Sequence, residues 1–196
     1  MLAEPLQVVK RIVEALDRLR LPYLIGGSVA SSLHGIYRFT NDVDFVIDLH
    51  ETDVTALVEA LQNAFYIDDE MIRDAIRMQS SFSILHLESM VKADMFLREP
   101  DPWMREEWVR RQTRQIGVGE DAYTISIASP EDMILQKLRR YRLGGGISDR
   151  QWGDITGMLK VQQESLDYAY LRQWGAELAL SDLLQRAYDD AGIVDR

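Results

Sequence analysis

The sequence predicts an α+β chain: a small mixed β-sheet flanked by helices over residues 1–129, followed by a helical bundle over residues 130–196. Three observations predict it. Short apolar runs, bounded by Gly, Pro or polar clusters, recur as far as residue 128 and then stop. Segments with apolar residues at helical spacing lie between them. Beyond Ser129–Pro130 only helical periodicity remains.

Taken in order, residues 5–20 carry Leu6, Val9, Ile12, Val13 and Leu16 on one helical face. Pro22 interrupts, and residues 23–25 read as a short buried strand. A helix follows the Gly26–Gly27 pair over residues 28–34. Residues 42–49 form a strand, 52–64 a helix with Thr52 or Asp53 as its cap, and 71–78 a short helix. Residues 81–87 and 91–97 read as a hairpin, 102–111 as a helix, and 123–128 as a strand in which Tyr123, Ile125 and Ile127 alternate. The bundle opens with "SPEDMILQKLRRYR". Ser129 is placed to cap it, Pro130 occupies the first helical position, and acids fill the first turn. Further helices are expected over 149–161, 167–178 and 180–190, with "GGG" at 144–146 as a connector.

The formal net charge of −10 argues against a broad grip on nucleic-acid duplex, which needs a basic face. Arg105, Arg110, Arg111 and Arg114 form one local basic cluster, and Lys137, Arg139, Arg140 and Arg142 another; a solvated helix face accounts for either. The absence of cysteine excludes disulfides and thiolate metal sites and fits a cytoplasmic protein. No apolar run reaches membrane-helix length, so no membrane partner is expected. His34, His50 and His86 are scattered and read as structural, and the four tryptophans as packing anchors.

The residues that carry chemistry are carboxylates. In "NDVDFVID", Asp42 and Asp44 stand two apart on a strand and therefore share a face. Two neighbouring carboxylates repel and call for a cation between them, and Mg²⁺ suits such a pair. Spacing alone leaves open a pair of exposed aspartates at a strand mouth. "VKADMFL" adds Asp94 in another apolar strand; if the two strands are neighbours, the site has three acids. Gly26, Gly27 and Ser28 sit at a strand-to-helix turn, where free N–H groups and the helix dipole favour phosphate. The spacing is neither that of a P-loop nor that of a dinucleotide fingerprint. Carboxylates alone do not separate nucleotidyl transfer from two-metal hydrolysis, although the glycine turn favours a triphosphate.

The order strand, Gly-Gly-Ser, helix, Arg38-Phe39-Thr40, Asp42-Val43-Asp44, and Asp94 about fifty residues on resembles the nucleotidyltransferase superfamily of DNA polymerase beta, kanamycin nucleotidyltransferase and the CCA-adding enzymes over residues 20–97. "SPEDMILQKLRRYR" and "SDRQWGDI" are similar to the helical part of AbiEii-like toxins, with Lys137, Arg150 and Asp154 in matching places and Gln151 where many such proteins carry an acid. The resemblance implies an enzyme that transfers NMP from an NTP to an acceptor hydroxyl on a tRNA, a protein or a small molecule, with an antitoxin as protein partner. It implies catalysis and binding of two Mg²⁺ ions by Asp42, Asp44 and Asp94, and nucleotide binding by Gly26, Gly27, Ser28, Arg38, Thr40, Lys137, Arg150 and Asp154. The alternative is a silent nucleotide-binding or toxin-neutralising module of the same fold.

Overall fold

The computed structural model describes residues 4–119 and 122–194. It divides into two compact units: one holds the chain up to Val29 together with Phe39–Ile127, the other Ala30–Arg38 together with the chain from Ala128 onward. The fold class is α+β, with a mixed sheet, flanking helices and a C-terminal set of helices.

The first unit contains a sheet of seven strands among the described residues, ordered β3-β4-β5-β2-β1-β7-β6. Their ranges are β1 Tyr23–Ile25, β2 Asp42–Ile47, β3 Phe65–Tyr66, β4 Ser81–His86, β5 Lys92–Leu97, β6 Gln112–Ile116 and β7 Tyr123–Ile127. The pairs β2–β5 and β1–β7 are parallel, and every other neighbouring pair is antiparallel. Along β2 the apolar Val43, Phe45 and Ile47 are buried, whereas Asp42 is exposed and Asp44 half-buried. Helix α1 (Glu4–Leu19) covers its side of the core with Val8, Val9, Ile12, Val13 and Leu16.

Two strands escape the apolar patterns. β3 is only two residues long. β6 is an edge strand of sequence QTRQI with three consecutive exposed residues, so it shows no alternation. The first basic cluster consequently spreads over two elements. Arg105 and Arg110 lie on α5 (Pro102–Arg110), Arg114 on β6, and the Arg111 guanidinium lies over the Trp108 ring at 5.0 Å.

In the second unit, α6 (Pro130–Leu143), α7 (Asp149–Gln162), α8 (Tyr168–Glu177) and α9 (Ser181–Ala191) follow one another. Ser129 caps α6, accepting from Asp132 N at 3.1 Å. The first-turn acids of α6 do more than complement its dipole. Buried Asp132 accepts from Tyr170 Oη at 2.6 Å, and Glu131 accepts from Asp167 N at 2.9 Å, so both tie α6 to the start of α8. His34 is buried, with Nε2 at 2.8 Å from Ala128 O.

His86 generates a pH-dependent prediction. It is buried at the end of β4, packs edge-on to Phe65, and its Nδ1 accepts from Ser89 N at 3.2 Å. Burial lowers its pKa below the ordinary histidine value, with Arg11 adding to the effect and Glu88 and Glu4 opposing it. The unfolded chain therefore takes up this proton at higher pH than the folded one. Stability from this group is full above about pH 6.5 and falls as pH drops through the folded-state pKa. In urea unfolding between roughly pH 5 and pH 7.5, His86→Gln flattens the slope of stability against pH by at most about 1.4 kcal/mol per pH unit, the limit for one proton. An unchanged slope contradicts the assignment.

Candidate active site

The carboxylates meet because of strand register. β2 and β5 pair in parallel with Asp42 opposite Lys92 and Asp44 opposite Asp94. Residues opposite one another on neighbouring strands share a face, so Asp42, Asp44, Lys92 and Asp94 form a charged square on one side of the sheet. β4 adds Ser83, which pairs with Asp94 in the antiparallel register.

Gly26 and Gly27 close the other side of Asp44. Gly26 N donates to Asp44 O at 2.9 Å. Gly27 has φ +57°, and a β-carbon added to it would lie 1.7 Å from Asp44 Oδ2. Both the backbone conformation and the carboxylate thus demand glycine at this position. Gly27 is also the first residue of α2 (Gly27–His34), which places Ser28 in the first turn. Thr40 stands just before β2; its Oγ1 donates to Asp42 O at 3.0 Å and accepts from Asp42 N at 3.2 Å, fixing the strand entrance.

Asp94 is held from two sides. Ser83 Oγ donates to its Oδ1 at 2.6 Å, and Lys92 Nζ lies 2.8 Å from its Oδ2. The Lys92 amine is held above the usual lysine range, first by its hydrogen bond to Asp94, with the charges of Asp94, Asp42 and Asp44 adding and desolvation opposing. Among the described residues, no group of three His, Cys, Asp or Glu side chains is posed as a metal cage. The chemistry of the side chains nevertheless suits a hard divalent cation: every candidate donor is a carboxylate oxygen, on one face, beside a glycine turn that leaves Asp44 room. Lys92 and Ser83 were not singled out from the sequence. Lys92 carried a readable signal, since it stands two residues before Asp94 in "KAD" and must share its face.

The remaining residues named from the sequence lie in the second unit. Lys137 is 7% exposed on α6 and its Nζ donates to Asp154 Oδ2 at 2.7 Å; Arg38 Nε approaches Asp154 Oδ1 at 3.5 Å. Burial lowers the Lys137 pKa, Asp154 opposes this, and Arg38 and Arg140 lower it further. Arg150 is exposed in the first turn of α7, one turn before Asp154. The acid of that helix therefore pairs with Lys137 and Arg38.

Replacing Gly27 with alanine drives a methyl group into the Asp44 carboxylate and strains a positive φ. The expected loss is about 1–3 kcal/mol for the backbone alone, read by urea unfolding. Gly153→Ala is the control: it lies inside α7 with nothing within 4 Å of an added β-carbon, so a gain of about 0.5–1 kcal/mol is expected. Equal effects of the two substitutions contradict the close approach at Asp44.

The sequence matches no protein-family model and no curated protein. Solved structures do match. An antigenic nucleotidyltransferase-like protein from Paracoccidioides brasiliensis is similar with 18% identity over 91% of this chain and 92% of that one, at a TM-score of 0.55. ANT(2")-Ia, crystallised in complex with adenylyl-2"-tobramycin, is similar with 14% identity over 88% of this chain and 95% of that one, at 0.56. JHP933 from Helicobacter pylori is similar with 19% identity over 100% of this chain and 83% of that one, at 0.52. Among the described residues no helix is long and apolar enough to cross a membrane. This chain shares its fold with these three structures.

Proposed function

We propose that this chain is a magnesium-dependent nucleotidyltransferase that moves NMP from an NTP to an acceptor hydroxyl and releases pyrophosphate. The observation that supports this most is the register that sets Asp44 opposite Asp94, with Asp42 on the same face and Gly27 against Asp44.

In this reading the backbone N–H groups at the start of α2, with Ser28, bind the triphosphate. Asp42, Asp44 and Asp94 are the residues that would hold the cations. When bound, two Mg²⁺ ions neutralise the phosphates and lower the pKa of the attacking hydroxyl. The acceptor oxygen forms a bond to the α-phosphorus, the bond from that phosphorus to the bridging oxygen breaks, and the bridging oxygen leaves with pyrophosphate. Asp94 takes the acceptor proton. Thr40 keeps Asp42 at the strand entrance. Lys137 and Arg150 are proposed to bind nucleotide, and Arg38 and Asp154 to position Lys137. The Lys137, Arg150 and Asp154 pattern also supports a place among AbiEii-like toxins, with an antitoxin partner.

One observation favours a second reading. Lys92 on Asp94 satisfies that acid without a metal, as a silent nucleotide-binding or toxin-neutralising module would allow. Incubation with labelled NTPs, Mg²⁺ and a panel of acceptors separates the two. The panel holds a protein hydroxyl, a tRNA 3′ end and an aminoglycoside, the last because ANT(2")-Ia is seen with adenylylated tobramycin. The expected result is label transfer to one acceptor with pyrophosphate release, and a drop of about 10²–10³-fold in Asp44→Asn. Equal transfer by both proteins contradicts the site, and nucleotide binding without transfer supports the module. Induced expression of the same two proteins tests the toxin placement: growth arrest by the unaltered chain alone supports it, and equal growth removes it.

A further inference from the structure

The carboxylate square contains its own cation. Lys92 lies opposite Asp42 in the β2–β5 register, two residues from Asp94 on the same strand, and its ammonium is 2.8 Å from Asp94 Oδ2. Ser83 takes the other oxygen, Oδ1, at 2.6 Å. Both oxygens of Asp94 are therefore engaged by the protein. An ammonium and a divalent cation drawn to one carboxylate oxygen repel each other at contact distance. Three carboxylates on one face repel one another, so a cation nearby is favoured.

The Lys92 side chain is suited to leave. It is 45% exposed, against 22% for Asp94, and among the described residues its flexible four-carbon stem makes a single ion pair. Exposed pairs of this kind are weak, within about 1 kcal/mol. Ser83, a neutral hydroxyl on the neighbouring strand, does not compete for charge and can keep Asp94 oriented throughout.

We infer that Lys92 is a resident counter-ion of this site: it holds Asp94 while no divalent cation is bound, and it moves off Asp94 as a cation enters. This rests on the reading of the acids as a metal site. Cation entry and Lys92 release are then one coupled equilibrium, so each must favour the other. Lys92 is a positioning residue with a charge that opposes metal loading.

The test uses Mn²⁺ as the probe, by calorimetry, with the full chain as unaltered protein, Lys92→Met, Lys92→Arg and Asp44→Asn. Losing the competitor should tighten Mn²⁺ binding by about three- to tenfold in Lys92→Met. Lys92→Arg should stay close to the unaltered protein, and Asp44→Asn should lose binding. A Lys92→Met affinity that is unchanged or weaker overturns the inference while leaving the metal site standing. Binding that survives unchanged in Asp44→Asn, or fails in every protein, overturns the metal reading and the inference with it. A second measurement needs no variant: acylation of Lys92 by an amine-reactive ester, read by mass spectrometry, should quicken when Mg²⁺ is added. The same rate with and without Mg²⁺ overturns the coupling.

Discussion

Parallel pairing of β2 with β5 is the constraint on which the site depends. A strand presents alternate residues to opposite faces, so a slip of one residue would send Asp94 to the apolar side and set Ala93 or Met95 against Asp44. The apolar partners prevent that slip. Val43, Phe45 and Ile47 on β2 and Ala93 and Met95 on β5 are all buried on one face, and the slip would turn Ala93 and Met95 out to water. The register that buries the core is thus the register that assembles the acids. Gly27 completes the arrangement from the side, because a β-carbon there would overlap the Asp44 carboxylate.

Much of this was legible in the sequence for a simple reason. β2 and β5 are half-buried strands, and half-buried strands alternate, so Asp42 and Asp44 had to share a face and Asp94 had to stand opposite the buried residues of its own strand. The helices were legible through caps and periodicity, as Ser129 at the start of α6 illustrates. Strand adjacency was not legible, because a local pattern carries no record of which strand lies beside which. The polar edge strand β6 and the two-residue β3 left no periodic trace. The Ser83 and Lys92 contacts with Asp94 depend on register and rotamer, and only Lys92 had a local sign, its place two residues before the acid.

Charge is managed differently in the two units. In the first, the acids stay partly exposed, and Asp94 pairs with the half-exposed Lys92 in a weak surface contact. In the second, Lys137 is buried against Asp154, with Arg38 at the same carboxylate; desolvation lowers its pKa and the carboxylate counters. Removing one partner of a buried pair costs far more than loosening an exposed one, so the second arrangement has a structural role whatever else it does.

The most direct measurement of the central claim is a crystal soaked in Mn²⁺ with a non-hydrolysable NTP, read through the anomalous signal of the metal. The account predicts manganese bounded by Asp42, Asp44 and Asp94, with the Lys92 ammonium withdrawn from Asp94. Manganese bound elsewhere, or Lys92 still seated on Asp94 beside a bound nucleotide, would contradict it.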